Sequence, residues 1–270
     1  MNQTILLEID EPSKPKLVES LAMPSDYKDA VVIHGFPGVG LVGSIAASYL
    51  LREYSNRSKT IAGILMWMKT PLLQMYGGNL FFPVSIFDLD LINDSIHLLL
   101  ATSTIPIPEL QIQPIFSLLF PFYHQKGISK IISLDAMISD KPKENSKSSK
   151  KNVFVLESNT IPELGKIPQF NEGINKLDDG VLLGPTAATV LNTWYNRSFS
   201  NLIMLGETYS FEPDPLCALS LLEILNRYLS LSLNVEKMRE FAKMLHEQKF
   251  NLLGSLTDTP KTDQSSYFYS

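Results

Sequence analysis

Gly38, Gly40 and Gly43 carry the first chemistry this chain could perform. They stand in "HGFPGVGLVG", between an apolar run and a helical pattern, in the G-x-G-x-x-G order. That order lets a backbone approach a pyrophosphate at a helix N-terminus. A dinucleotide loop needs its first glycine at the strand end, but "HGFP" separates the run Ala30–Ile33 from Gly38. It also needs an acid about 20 residues on, at the end of the next strand. The next strand lies in "TIAGILMWMKT", which carries Lys69 and no acid, and no Lys-Ser or Lys-Thr follows Gly40 as a P-loop requires. Close packing of strand, turn and helix is a sufficient reason for these glycines. A nucleotide or other anion site at Gly35, Phe36, Pro37, Gly38, Gly40 and Gly43 stays open as the alternative.

A second group is Glu207, Glu212 and Asp214 in "GETYSFEPDPLCALSLLEIL". Carboxylates held about 5–10 Å apart could do acid–base work. Asp214 before Pro215 is also a helix start, with Asp as N-cap and Pro in the first turn. Glu207 and Glu212 could line a cleft or an interface. Asp88, Asp90 and Asp94 have a calcium-like spacing without the central glycine and terminal Glu of such a loop. His34, His97, His124 and His246 show no ligand spacing, and Ser44 lies in no G-x-S-x-G. No nucleophile, base and orienter assemble. The expectation is a protein that is not an enzyme and holds no cofactor or metal.

The elements that must position these residues alternate. Strand-like runs are Thr4–Ile9, Ala30–Ile33, Thr60–Met66, Leu80–Phe87, Ser95–Ala101, Lys130–Leu134, Val153–Leu156, Val181–Leu183 and Leu202–Leu205. Helical patterns cover Leu41–Tyr54, Glu109–Gln125, Pro185–Arg197, Pro215–Ser230 and Val235–Phe250, with Pro114 a bend or restart in the second. This predicts an α/β fold, a layered mixed or parallel sheet flanked by helices, over residues 1–250. Cys217, the only cysteine, excludes an internal disulfide and reads as helical core. The polar Lys/Ser stretch at 139–152 reads as a mobile loop, and 251–270 as a flexible tail that nonetheless carries Tyr267, Phe268 and Tyr269.

Of the 270 residues 44% are hydrophobic and 19% charged, with net charge −5, so a basic nucleic-acid-binding face is not expected. The first residues lack the basic and apolar regions of a signal peptide, and no apolar run is long enough to span a membrane. A cytoplasmic protein is expected.

"HGFPGVGLVGSIAASYL" resembles the signature of the PAC2 family, the archaeal and eukaryotic proteasome assembly chaperones. The resemblance continues in "DGVLLGPTAATVLNTW" and "NLIMLGETYSFEPDPLCALSLLEILNRYL". The chain departs from it at Asp135-Ala136-Met137, where many members carry a glycine. The resemblance implies a nucleoside-phosphorylase-like topology without that activity, a homo-oligomer, an archaeal origin and an ATP-independent role on proteasome α-subunits or the 20S core particle. It also gives the last residues a role, because Phe268-Tyr269-Ser270 fits the hydrophobic-Tyr-any tails that enter α-ring pockets. Tyr269 would fill the pocket, Phe268 would add apolar contact, and the Ser270 carboxylate would pair with a pocket lysine. A regulator that opens the assembled proteasome shares the same tail. An enzyme or nucleotide-binding protein using the glycine loop is the rival from a different class.

Overall fold

The computed structural model describes residues 14–20, 24, 26–66, 74–76, 79–89, 96–103, 105–139, 152–159, 174–176 and 179–245. The expectations at Thr4–Ile9, Asp90, Asp94, His246, the tail 251–270 and all but the two ends of the 139–152 loop lie outside them.

The centre of the fold is β2 (Val31–Gly35), whose residues are all buried. An unbroken apolar run such as Val31–Ile33 suits a strand covered on both faces, as in a parallel sheet. On one side β2 pairs in parallel with β7 (Leu98–Ser103), and on the other with β8 (Lys130–Ile138). β11 (Ser200–Thr208) continues the parallel set beyond β8. Around this core lie β1 (Lys16–Glu19), β3 (Lys59–Leu65), β6 (Val84–Asp88), β9 (Val153–Asn159) and β10 (Ile174–Lys176), in the order β1-β3-β6-β7-β2-β8-β11-β9-β10. β4 (Gln74–Tyr76) and β5 (Asn79–Phe81) form a separate antiparallel pair.

Two helical layers cover the nine-stranded sheet. On one face lie α1 (Val42–Glu53), α4 (Pro215–Tyr228) and α5 (235–245), over a core that includes Val31, Ile33, Leu50, Ile132, Leu221 and Met238. On the other lie α2 (Glu109–Gln125) and α3 (Gly184–Tyr195), over Val32, Leu99, Phe116, Leu119, Ile131 and Ala188. The layered α/β expectation holds.

Several boundaries differ from those read in the sequence. Leu80–Phe87 is not one strand: it divides around Phe82-Pro83 into β5 and β6, which join different sheets. Proline has no N–H to give a ladder, so the run breaks there. Val181–Leu183 forms no strand; it is irregular backbone entering α3, with Val181 and Leu183 well exposed. A short apolar run is compatible with a strand, a helix or an exposed contact, and pattern alone does not separate them. α2 runs unbroken through Pro114 and Pro121, both on its solvent side. The short strands β1, β4 and β10 carry too few residues to show a period.

Candidate functional site

β2 ends at the crevice between itself and β8, where the connections leave in opposite directions, from β2 to β3 through α1 and from β8 toward β9 and β11. Such switch points are where open α/β sheets bind ligands. Here the space is filled by protein. A Cβ on Gly35 would stand 2.7 Å from Ala47 Cβ and 2.8 Å from the Gly43 carbonyl oxygen. One on Gly43 would overlap the Leu134 carbonyl oxygen of β8, and one on Gly38 would overlap the Asp135 carboxylate. Gly40 has φ of 59°, a conformation that glycine adopts at least cost. Phe36 is buried edge-on to His34 and tilted against Phe116, each ring 5.4 Å away. His34, Phe36, Pro37, Ser133, Asp135, Pro185, Thr186 and Thr189 close around a space without room for a water-sized molecule.

Two buried ionisable groups meet this crevice. Asp135 Oδ2 accepts the Thr186 hydroxyl at 2.6 Å, Oδ1 accepts the Ala136 N–H at 2.8 Å, and the carboxylate also receives the Val39 N–H. Burial pushes the Asp135 carboxyl up to about 6 although these bonds oppose the shift. His34 lies 3.0 Å from Thr189 Oγ1 through Nδ1 and 3.0 Å from the Tyr123 hydroxyl through Nε2. The Thr189 hydroxyl donates its single proton to the Pro185 carbonyl, so it accepts from His34 Nδ1–H. Nε2 then accepts from Tyr123, and burial pulls His34 down to about 3, keeping the ring neutral.

Thr186, Thr189 and Thr193 are the buried face of α3. Their hydroxyls are satisfied by backbone carbonyls or by the Asp135 carboxylate. Reading histidines for ligand spacing missed this network, because His34, Tyr123 and Thr189 are joined only by the fold. The threonines at helical spacing were the available signal.

The second motif lies against the first. The Asp214 N–H donates to the Gly40 carbonyl at 2.9 Å, and a Cβ on Gly40 would stand 3.3 Å from the Glu212 carbonyl oxygen. Asp214 caps α4, with Oδ1 accepting the Cys217 N–H at 3.0 Å and Oδ2 the Thr208 hydroxyl at 2.9 Å. Glu207 Oε2 instead takes the Asn152 amide at 2.8 Å and the Tyr209 hydroxyl at 3.4 Å. Burial and then the Glu207 charge push the Tyr209 phenol up. Glu212 is exposed. Asp214 and Glu207 thus serve separate local contacts. Cys217 is a buried α4 residue, as its sequence setting suggests. Among the described residues no three His, Cys, Asp or Glu side chains group as a metal site, and no helix is long and apolar enough to cross a membrane.

Comparison with known proteins gives this arrangement a lineage. An uncharacterized protein of Methanocaldococcus jannaschii is 24% identical over 226 residues, 83% of this chain and 85% of that one. The crystal structure of Pyrococcus furiosus PbaA, described as an archaeal homolog of proteasome-assembly chaperone, superposes with a TM-score of 0.69 at 25% identity. It covers 87% of this chain and 94% of its own. Pyrococcus furiosus PbaB, described as an archaeal proteasome activator, gives a TM-score of 0.68 at 18% identity, over 89% of this chain and 99% of its own. The sequence model of the PAC2 family matches residues 32–252, a span holding both the glycine loop and the capped α4 junction that meet here, and the chain belongs to the PAC2 family.

Proposed function

We propose that this chain is a non-catalytic, nucleotide-independent partner of the proteasome, an assembly chaperone that binds α-subunits or the 20S core particle in the cytoplasm. The observation that carries the reading is the PAC2 match over 32–252, joined to the likeness to PbaA across nearly the whole of that protein. The crevice is consistent with it, since the glycines of the family signature press on protein atoms and support packing. In this reading Phe268, Tyr269 and Ser270 dock in pockets between α-subunits. Three anchor residues bind weakly once their ordering cost is subtracted. Several copies presenting tails together to a ring of pockets would gain avidity of ~10²–10⁴.

The test is binding of the full chain to purified 20S particles and to free α-subunits, against a variant lacking Tyr269 and Ser270. Binding that the deletion abolishes supports tail docking. Equal binding by both forms moves the contact to the folded region, and no binding by either overturns the reading. A melting temperature that climbs with added ATP or NAD would favour a ligand site at the glycine loop instead.

A further inference from the structure

The two helical layers differ sharply in their outer surfaces. The layer of α1, α4 and α5 is laced with charge: Arg239 bonds Glu236 at 2.7 Å and Glu223 at 3.5 Å, and Lys237 pairs with Glu53 at 3.7 Å. That is the ordinary solvent face of an amphipathic helix. α2 and α3 lack it. α3 has no charged residue at all, and in α2 the only acidic or basic side chains are Glu109 and His124.

α3 is also inverted in polarity. Its threonines point inward to His34, Asp135 and the helix carbonyls, while Leu191, Trp194 and Tyr195 point out, with Trp194 69% and Tyr195 81% exposed. Leu183 at its start and Leu110 on α2 extend the apolar surface. Between the helices runs a groove of about 690 Å³, with Phe120, Pro121, Leu191 and Tyr195 among its walls and His124 and Asn192 among its polar residues. Exposed aromatics without charge are the composition of an interface centre.

We propose that this α2–α3 face pairs with the same face of a second copy of the chain. The inference deepens the reading above by naming the surface through which copies meet. Charge decides the occupant. Two copies that each carry net charge −5 repel, and repulsion is least where the approaching surfaces hold no charge. Both helices begin at the carboxyl end of the parallel strands, with Glu109 there and Arg197 beyond the far end of α3. A two-fold axis across them sets the Glu109 end of one copy beside the Arg197 end of the other, so the borders attract. A ridge at Trp194 beside a groove is self-complementary under that symmetry. The two aromatics alone offer ~300–400 Å², up to about half of the ~800 Å² per partner in a stable interface, and Leu110, Leu183, Leu191 and the groove walls add further apolar surface.

The test is the mass of the full chain in solution by sedimentation equilibrium from about 1 to 100 µM, a range that brackets micromolar association, for wild type, Trp194→Glu, Leu191→Glu and Lys243→Glu. The expected result is a wild-type mass of twice the 30.3 kDa chain, or a higher even multiple. Trp194→Glu and Leu191→Glu then halve it at least, and Lys243→Glu on the opposite layer leaves it unchanged. Circular dichroism melts check that the variants fold. A single-chain mass throughout, or an oligomer indifferent to both α3 variants, overturns the proposal and leaves the face to a proteasome subunit or to the chain's own tail. No proteasome enters the assay, so this pairing and the proteasome reading fail separately.

Discussion

Gly38 presses on Asp135, so that a Cβ at position 38 would overlap the carboxylate oxygen Oδ1. The φ of Gly38 is −141°, which any residue adopts, so the demand for glycine comes from its neighbour and not from its own backbone. Asp135 in turn ties the turn at Val39 and the start of α3 at Thr186 to β8. Gly38→Ala therefore has to displace a buried carboxylate from its donors, at a cost of about 1–3 kcal/mol. In an Asp135→Ala background the obstacle is gone and the same change costs less. Urea unfolding of the four proteins in this cycle should give a coupling of roughly 1–2 kcal/mol. Additive costs would mean that the two residues do not meet as described.

The glycine loop was legible as a strand–turn–helix in "HGFPGVGLVG", because apolar run, turn residues and helical period follow one another locally. What the glycines touch was not legible. Leu134 and Asp135 lie about a hundred residues away, and only the parallel pairing of β2 with β8 brings them to the loop. The Asp214 cap was readable because an N-cap acts within three residues, as its bond to Cys217 shows. The contact of Asp214 with Gly40 was not. The misread run Val181–Leu183 has its own physical reason. Val181 and Leu183 face solvent beside the uncharged surface of α3, and an exposed apolar run looks in sequence like a buried one.

Asp214 offers a second test, because its carboxylate holds two groups that need it. Asp214→Ala leaves the Cys217 N–H without its cap and the buried Thr208 hydroxyl without its strongest acceptor. Loss of such a cap costs about 1–2 kcal/mol, which lowers the melting temperature of a chain this size by about 2–8 °C. Asp214→Asn retains an oxygen for the Cys217 N–H and should lose less than half as much. The backbone bond from residue 214 to Gly40 survives both changes. Equal melts for the alanine and asparagine variants would deny the carboxylate this capping role.

His34 and Asp135 make opposite demands on pH, and the opposition can be measured. Burial pulls His34 from its ordinary 6.5 down to about 3, so the stability it contributes is present above 6.5 and is lost as pH falls toward 3. Burial raises Asp135 from 3.8 to about 6, so its contribution is complete below 3.8 and is lost as pH rises through 6. Between about pH 4 and 6 each group changes stability by up to about 1.4 kcal/mol per pH unit, in opposite directions. In the wild-type protein the two slopes cancel across that window. Asp135→Asn removes one of them and keeps a side chain of the same shape, with the Thr186 hydroxyl free to turn and accept from the new amide. The difference in unfolding free energy, variant minus wild type, should then rise with pH by about 2 kcal/mol from pH 4 to 6. Groups elsewhere titrate equally in both proteins and drop out of that difference. Urea unfolding at half-unit pH steps would show it, and parallel profiles for the two proteins would mean that Asp135 ionises in the folded chain as an ordinary carboxyl does.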